Sequence, residues 1–127
     1  LEENCIGAKG ASALAAILKD TKITNLNLED NNLGPEGGAA LAEGLKGNST
    51  LQSLELDQNH LGPEGGAALA EGIKGNSTLT SLSLRDNKLC GIKYGKGTYT
   101  AEGIIKLCEG LKGSAVTSLN LQYNDIG

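Results

Sequence analysis

Residues 91–98, GIKYGKGT, set two lysines among three glycines, between a strand-like SLSLRDN and a helix-like AEGIIKLCEGLKG. A strand, a glycine-rich loop with a lysine and a helix is the layout that cradles phosphate, with backbone N–H groups and an ammonium facing the anion. The spacing argues against that chemistry. The motif needs G-x-x-x-x-G-K-[ST], whereas Gly91 and Gly95 enclose three residues and Gly97 stands where a magnesium-binding hydroxyl belongs. Nucleotide hydrolysis is not expected.

The other chemistry-bearing residues are sparse. His60 is the single histidine and has no second ligand at metal spacing, so neither a metal nor a cofactor is expected. Cys5 and Cys90 fall in turns without a neighbour that would activate a thiol. Cys108 stands where the equivalent helices carry Ala42 and Ala70, and reads as a small buried residue. Three unpaired cysteines fit a reducing compartment, and cytoplasmic localisation is the expectation.

Composition narrows the class. There is no Trp, Phe or Met, and only Tyr94, Tyr99 and Tyr123 are aromatic, so any core is built from Leu, Ile, Val and Ala. The net charge of −4 argues against nucleic acid or an anionic membrane as a partner. No apolar run has the length of a membrane span, and LEENCIGAKG lacks the regions of a signal peptide.

The elements that position these residues follow from an internal repeat. LGPEGGAALAEGLKGNSTL at 33–51 recurs at 61–79 with one change, Leu45 to Ile73. Around it the frame L-x-L-x-x-N-x-L returns with first leucines at Leu26, Leu54, Leu82 and Leu119, at spacings of 28, 28 and 37. L-x-L predicts a short strand with one buried face. Gly-Pro-Glu then opens a helix, proline suiting its first turn and glutamate its positive end. Gly37, Leu41 and Leu45 share one helical stripe, as do Gly65, Leu69 and Ile73, Gly103, Leu107 and Leu111, and Gly10, Leu14 and Leu18. A helical glycine costs about 0.5–1 kcal/mol relative to alanine; its recurrence predicts a close approach of the helix and strand layers. Gly47-Asn48 and Gly75-Asn76 predict helix ends in the left-handed conformation. One strand–helix unit cannot bury its own stripe, so the units must stack.

The frame L-x-x-L-x-L-x-x-N-x-L, as in LQSLELDQNHL and LTSLSLRDNKL, resembles the leucine-rich repeat, and the 28-residue period with a full helix looks like its ribonuclease-inhibitor-like subclass. The resemblance implies an α/β right-handed solenoid, or horseshoe, of about 4.5 repeats. A parallel sheet would line the concave face and helices the convex face. Residues 1–127 read as a single repeat domain, a fragment of a longer array, with an insertion at 90–99 in the fourth unit. Asn4, Asn31, Asn59, Asn87 and Asn124 match the family's ladder position, a structural role.

In this frame the residues beside the buried leucines face the concave side. One column is Asn27, Glu55, Ser83 and Asn120; the next is Glu2, Glu29, Asp57, Arg85 and Gln122; the third is Glu3, Asp30, Gln58, Asp86 and Tyr123. Positions that differ between near-identical units are free to encode recognition. The expectation is a non-catalytic module that binds a protein partner with a basic patch through Glu29, Glu55, Asp57, Arg85, Asp86 and Tyr123, with Tyr94 and Tyr99 on the rim. The insertion reads equally as a contact arm or as a tolerated lengthening. Two alternatives stand beside this reading. One is a GTPase-activating domain similar to the Ran-directed members of the subclass; the other is a structural or sensor segment of a larger receptor.

Overall fold

The computed structural model describes residues 5–93, 96–97 and 100–124. Helices α1 (Gly7–Leu18), α2 (Gly34–Lys46), α3 (Gly62–Lys74) and α4 (Glu102–Leu111) alternate with strands β1 (Asn25–Asn27), β2 (Ser53–Glu55), β3 (Ser81–Ser83) and β6 (Ser118–Asn120). The short strands β4 (Ile92–Lys93) and β5 (Lys96–Gly97) lie between β3 and α4. The four repeat strands form one parallel sheet in the order β1-β2-β3-β6, with Leu26, Leu54, Leu82 and Leu119 aligned across it. The chain is a leucine-rich solenoid, with the sheet on one side and the helices on the other.

The leucine pattern explains the layers. Leu28, Leu56 and Leu84 leave the strands fully buried, and Leu33, Leu61 and Leu89 lead into the next segment equally buried. Leu41, Leu45, Leu69, Ile73 and Leu107 close the core from the helix side. Each such side chain contributes about 1.5–3 kcal/mol on burial, and neighbouring units supply most of its surroundings. Pro35 and Pro63 sit in the first turns of α2 and α3 with Glu36 and Glu64 beside them, as their local chemistry predicts.

Two local expectations are corrected. None of the stripe glycines meets a strand. A Cβ on Gly37 or Gly65 would lie 2.8 Å from Cβ of Leu33 or Leu61, at the entry to its own helix. One on Gly103 would lie 2.7 Å from O of Pro63 in the preceding helix. Gly44, Gly72 and Gly110, outside that stripe, admit the preceding helix. A Cβ on Gly72 would lie 2.8 Å from both Cα and O of Ala42, and one on Gly110 would lie 2.6 Å from O of Ala70. Gly44 has the same relation to Ala15, at 3.0 Å. The helix ends also differ: Gly47 has φ −96° and Gly75 φ −85°, so neither adopts the left-handed conformation. The asparagine that follows does another job. Asn48 donates through Nδ2 to Leu18 O at 2.7 Å and accepts from the N–H groups of Thr50 and Leu51. Asn76 repeats this one unit later, donating to Leu45 O and Asn48 O. A side chain tying turn to turn removes the need for a glycine-type ending.

On the other side of each helix, where the chain leaves the strand, a second asparagine series runs through Asn31, Asn59, Asn87 and Asn124, all buried. Asn59 Oδ1 accepts the Asn31 N–H at 2.9 Å and the Leu33 N–H at 3.3 Å, and Asn59 Nδ2 donates to Leu28 O at 2.7 Å. Asn87 and Asn124 act likewise on the units before them. Asn4 lies outside the described residues.

The insertion forms its own antiparallel pair, with Ile92 opposite Gly97 and Lys93 opposite Lys96. The Thr100 N–H donates to Cys90 O at 2.9 Å, so the excursion leaves and rejoins the solenoid at neighbouring points. A hairpin therefore separates β3 from α4.

Candidate protein-binding face

The strand positions alternate about the buried leucines. Leu54 and Leu82 are buried, whereas Glu55 is exposed and Ser53, Ser81 and Ser83 are half-buried on the side away from the helices. The register places Asn27, Glu55, Ser83 and Asn120 in one row across four units. A depression of about 250 Å³ opens on this face, lined by Asn25, Leu26, Asn27, Ser53 and Glu55.

Beyond the strands the backbone ladder continues. Leu28, Leu56 and Leu84 donate to Glu55, Ser83 and Asn120 carbonyls, and Asp30, Gln58 and Asp86 donate to those of Asp57, Arg85 and Gln122. This fixes a second row of Glu29, Asp57, Arg85 and Gln122 on rigid backbone. Asn27 Oδ1 accepts the Glu29 N–H at 2.9 Å, and Asn120 Oδ1 accepts the Gln122 N–H at 3.0 Å.

Asp57 is tied to the next unit: its Oδ1 accepts from Ser83 Oγ at 2.5 Å and from the Arg85 N–H at 2.9 Å. It thus helps hold the sheet as well as charging it. The Arg85 guanidinium lies over the Tyr123 ring, 5.1 Å from its centroid, and Tyr123 is 70% exposed. Such a stack contributes about 0.5–1 kcal/mol at an exposed site.

Of the residues named from sequence, Asp57, Arg85 and Tyr123 are joined by direct contacts, and Glu55 stands exposed beside them in the first row. Glu29 and Asp86 are half-buried in the same rows. Tyr94 and Tyr99 lie outside the described residues. The third row carries a backbone restriction that the sequence reading missed. Asp30, Gln58, Asp86 and Tyr123 all have φ between +54° and +58°. The residues just past the ladder asparagines, Asn32, His60 and Lys88, are also left-handed, at φ +54° to +55°. Asparagine and aspartate tolerate this region best, so the D/N-rich spelling of these turns was the signal available.

His60 is exposed, and among the described residues no group of three His, Cys, Asp or Glu is placed to hold a metal ion. One cysteine expectation is corrected. Cys108 is exposed rather than buried, because the aligned Ala42 and Ala70 are covered by Gly72 and Gly110 of the following helix and no described helix follows α4. Cys90 lies in a turn, as read, and is fully buried, and Cys5 is exposed.

A family model described as "Leucine Rich repeat" matches residues 1–15, 19–42, 47–70, 75–89 and 115–127. The chain belongs to the leucine-rich repeat family. The unmatched stretch of 90–114 holds the hairpin and α4. No curated protein matches the chain. Among solved structures it is similar to leiomodin-1 actin-binding site 2, with 21% sequence identity, a TM-score of 0.78 and coverage of 94% of this chain. The match spans 66% of the leiomodin-1 chain. At that identity the likeness is one of fold. Among the described residues no helix is long and apolar enough to cross a membrane.

Proposed function

We propose that the chain is a non-catalytic, cytoplasmic recognition module of the ribonuclease-inhibitor-like kind, whose sheet face binds a protein partner carrying basic side chains. The observation that carries this reading is a rigid, in-register face whose backbone repeats while its outward residues change: Asn27, Glu55, Ser83 and Asn120 in one row, Glu29, Asp57, Arg85 and Gln122 in the next. A surface of this kind suits a broad macromolecular contact rather than a buried small molecule. Its carboxylates would steer a basic patch towards the units around β1 and β2. The solved structure it resembles in fold is titled as an actin-binding site, which supports a protein as the kind of partner. The insertion at 90–99 is a second contact for the partner in this reading.

The test is to recover partners on the immobilised protein, purify one and measure its affinity. Glu55→Lys alters an exposed carboxylate without disturbing the hydrogen bonds that Asp57 makes. The reading requires that Glu29→Lys/Glu55→Lys weaken binding at least about tenfold, with a smaller loss when residues 90–101 are replaced by Gly-Pro. Unchanged affinity in both variants would exclude this face.

A further inference from the structure

We infer that Arg85 and Tyr123 form a seat for a carboxylate supplied by the protein partner, so that the partner is mixed in charge rather than uniformly basic. The inference rests on the recognition reading above and specifies its chemistry. Arg85 is the only arginine in the chain. Its guanidinium makes no ion pair among the described residues and lies over the Tyr123 ring, 5.1 Å from its centroid. Asp57, the neighbour in its row, accepts the Arg85 backbone N–H rather than pairing with the guanidinium.

The arrangement pre-organises the side chain. A stacked guanidinium presents its N–H fork outward, and that planar fork matches a carboxylate in a two-point contact. Stacking on an aromatic ring removes part of the rotamer entropy that a free arginine would lose on binding. Tyr123 holds its ring in place from a left-handed backbone, φ +58°, at a position where the other units carry Asp30, Gln58 and Asp86. A ring there is a poor local choice that gains the stack with Arg85.

The surroundings discriminate between anions. Asp57 stands one strand away, about 4.8 Å along the row, with Glu29 beyond it and Glu55 and Asp86 nearby. Their field disfavours a doubly charged phosphate more than a singly charged carboxylate. It equally favours a basic side chain next to the incoming acid. The row Glu29, Asp57, Arg85 therefore reads as two negative positions followed by a positive one. It fits a partner segment that offers basic groups and then a carboxylate at similar spacing.

Having one arginine makes the test direct, because its Nε–H gives one assignable NMR signal. The ¹⁵N-labelled chain is titrated with the peptide acetyl-KAAKEA-amide and with counterparts carrying glutamine or phosphoserine in place of the glutamate. The expected result is a saturable shift of the Arg85 Nε–H by the glutamate peptide, with about fivefold weaker binding of the glutamine peptide and no tighter binding of the phosphoserine one. Arg85→Lys should remove the glutamate preference while leaving the backbone spectrum in place. An immobile Arg85 signal, equal affinity for the glutamate and glutamine peptides, or tighter binding of phosphoserine would each overturn the carboxylate seat. If Glu55→Lys abolishes binding of a purified partner while Arg85→Lys does not, the recognition face stands and this seat falls.

Discussion

The backbone N–H of Asn59 donates to Oδ1 of Asn87 at 2.9 Å, while Oδ1 of Asn59 accepts the N–H of Asn31 at the same distance. Each asparagine thus receives from the unit before it and gives to the unit after it. Asn59→Ala leaves the Asn31 and Leu33 N–H groups and the Leu28 carbonyl without this side chain. Each unsatisfied buried group costs about 1–3 kcal/mol. Urea denaturation should show a loss of roughly 3 kcal/mol or more, a large part of a typical domain's stability. Asn59→Asp should not rescue it, since the acceptor returns but the donor does not.

The helix spacing gives an opposed pair. Gly72→Ala improves helix propensity by about 1 kcal/mol. Its new methyl, however, meets backbone atoms of Ala42 at 2.8 Å, and these cannot rotate aside. Overpacking of about 1–3 kcal/mol should prevail, leaving a net loss. Gly66→Ala meets chiefly the flexible tip of Leu89 at 3.0 Å, and its effect on the urea midpoint should be small or favourable. Equal effects from the two would refute the account of helix packing.

The turns past the ladder allow a stabilising change. His60 and Lys88 hold the left-handed conformation that Asn32 fills in an earlier unit. His60→Asn and Lys88→Asn should each raise stability by up to about 1 kcal/mol, because asparagine relieves a strain of about 1–2 kcal/mol per residue. Thermal unfolding of the single and double variants would measure this, with nearly additive gains expected across separate units.

Thiol accessibility offers a folded-state check. Cys5 and Cys108 are exposed and Cys90 is buried. An aromatic disulfide reagent should titrate two thiols in the native protein and the third only on unfolding. Rapid native reaction of all three would contradict the burial of Cys90.

The architecture was legible because leucine spacing encodes it directly: Leu26, Leu54, Leu82 and Leu119 align as their frame requires. Proline and glutamate marked the starts of α2 and α3 for equally local reasons. What escaped depends on neighbours 28 residues away. Gly47-Asn48 does end α2, but without the left-handed conformation its spelling suggests, because the Leu18 carbonyl that Asn48 satisfies lies in another unit. Cys108 looks buried because its aligned alanines are, but Ala42 and Ala70 are covered by Gly72 and Gly110 of the following helix, and no described helix follows α4. Arg85 and Tyr123 were each named from the face they occupy, but they belong to different rows, and their stacking depends on how the turn at Tyr123 aims its ring.

The near-identity of residues 33–51 and 61–79 has a genetic consequence. Gly110 rests on Ala70 and Gly72 on Ala42, so excising one such unit would present α4 with the same alanine it meets now. Recombination between the two copies could therefore shorten or lengthen the array by whole units without inventing a new contact. Folding would tolerate the exchange, while recognition would register it: removing one strand draws Arg85 about 4.8 Å nearer to Glu29 along the row. In such a molecule, the ruler by which one partner is told from another can change in a single meiotic or replicative slip.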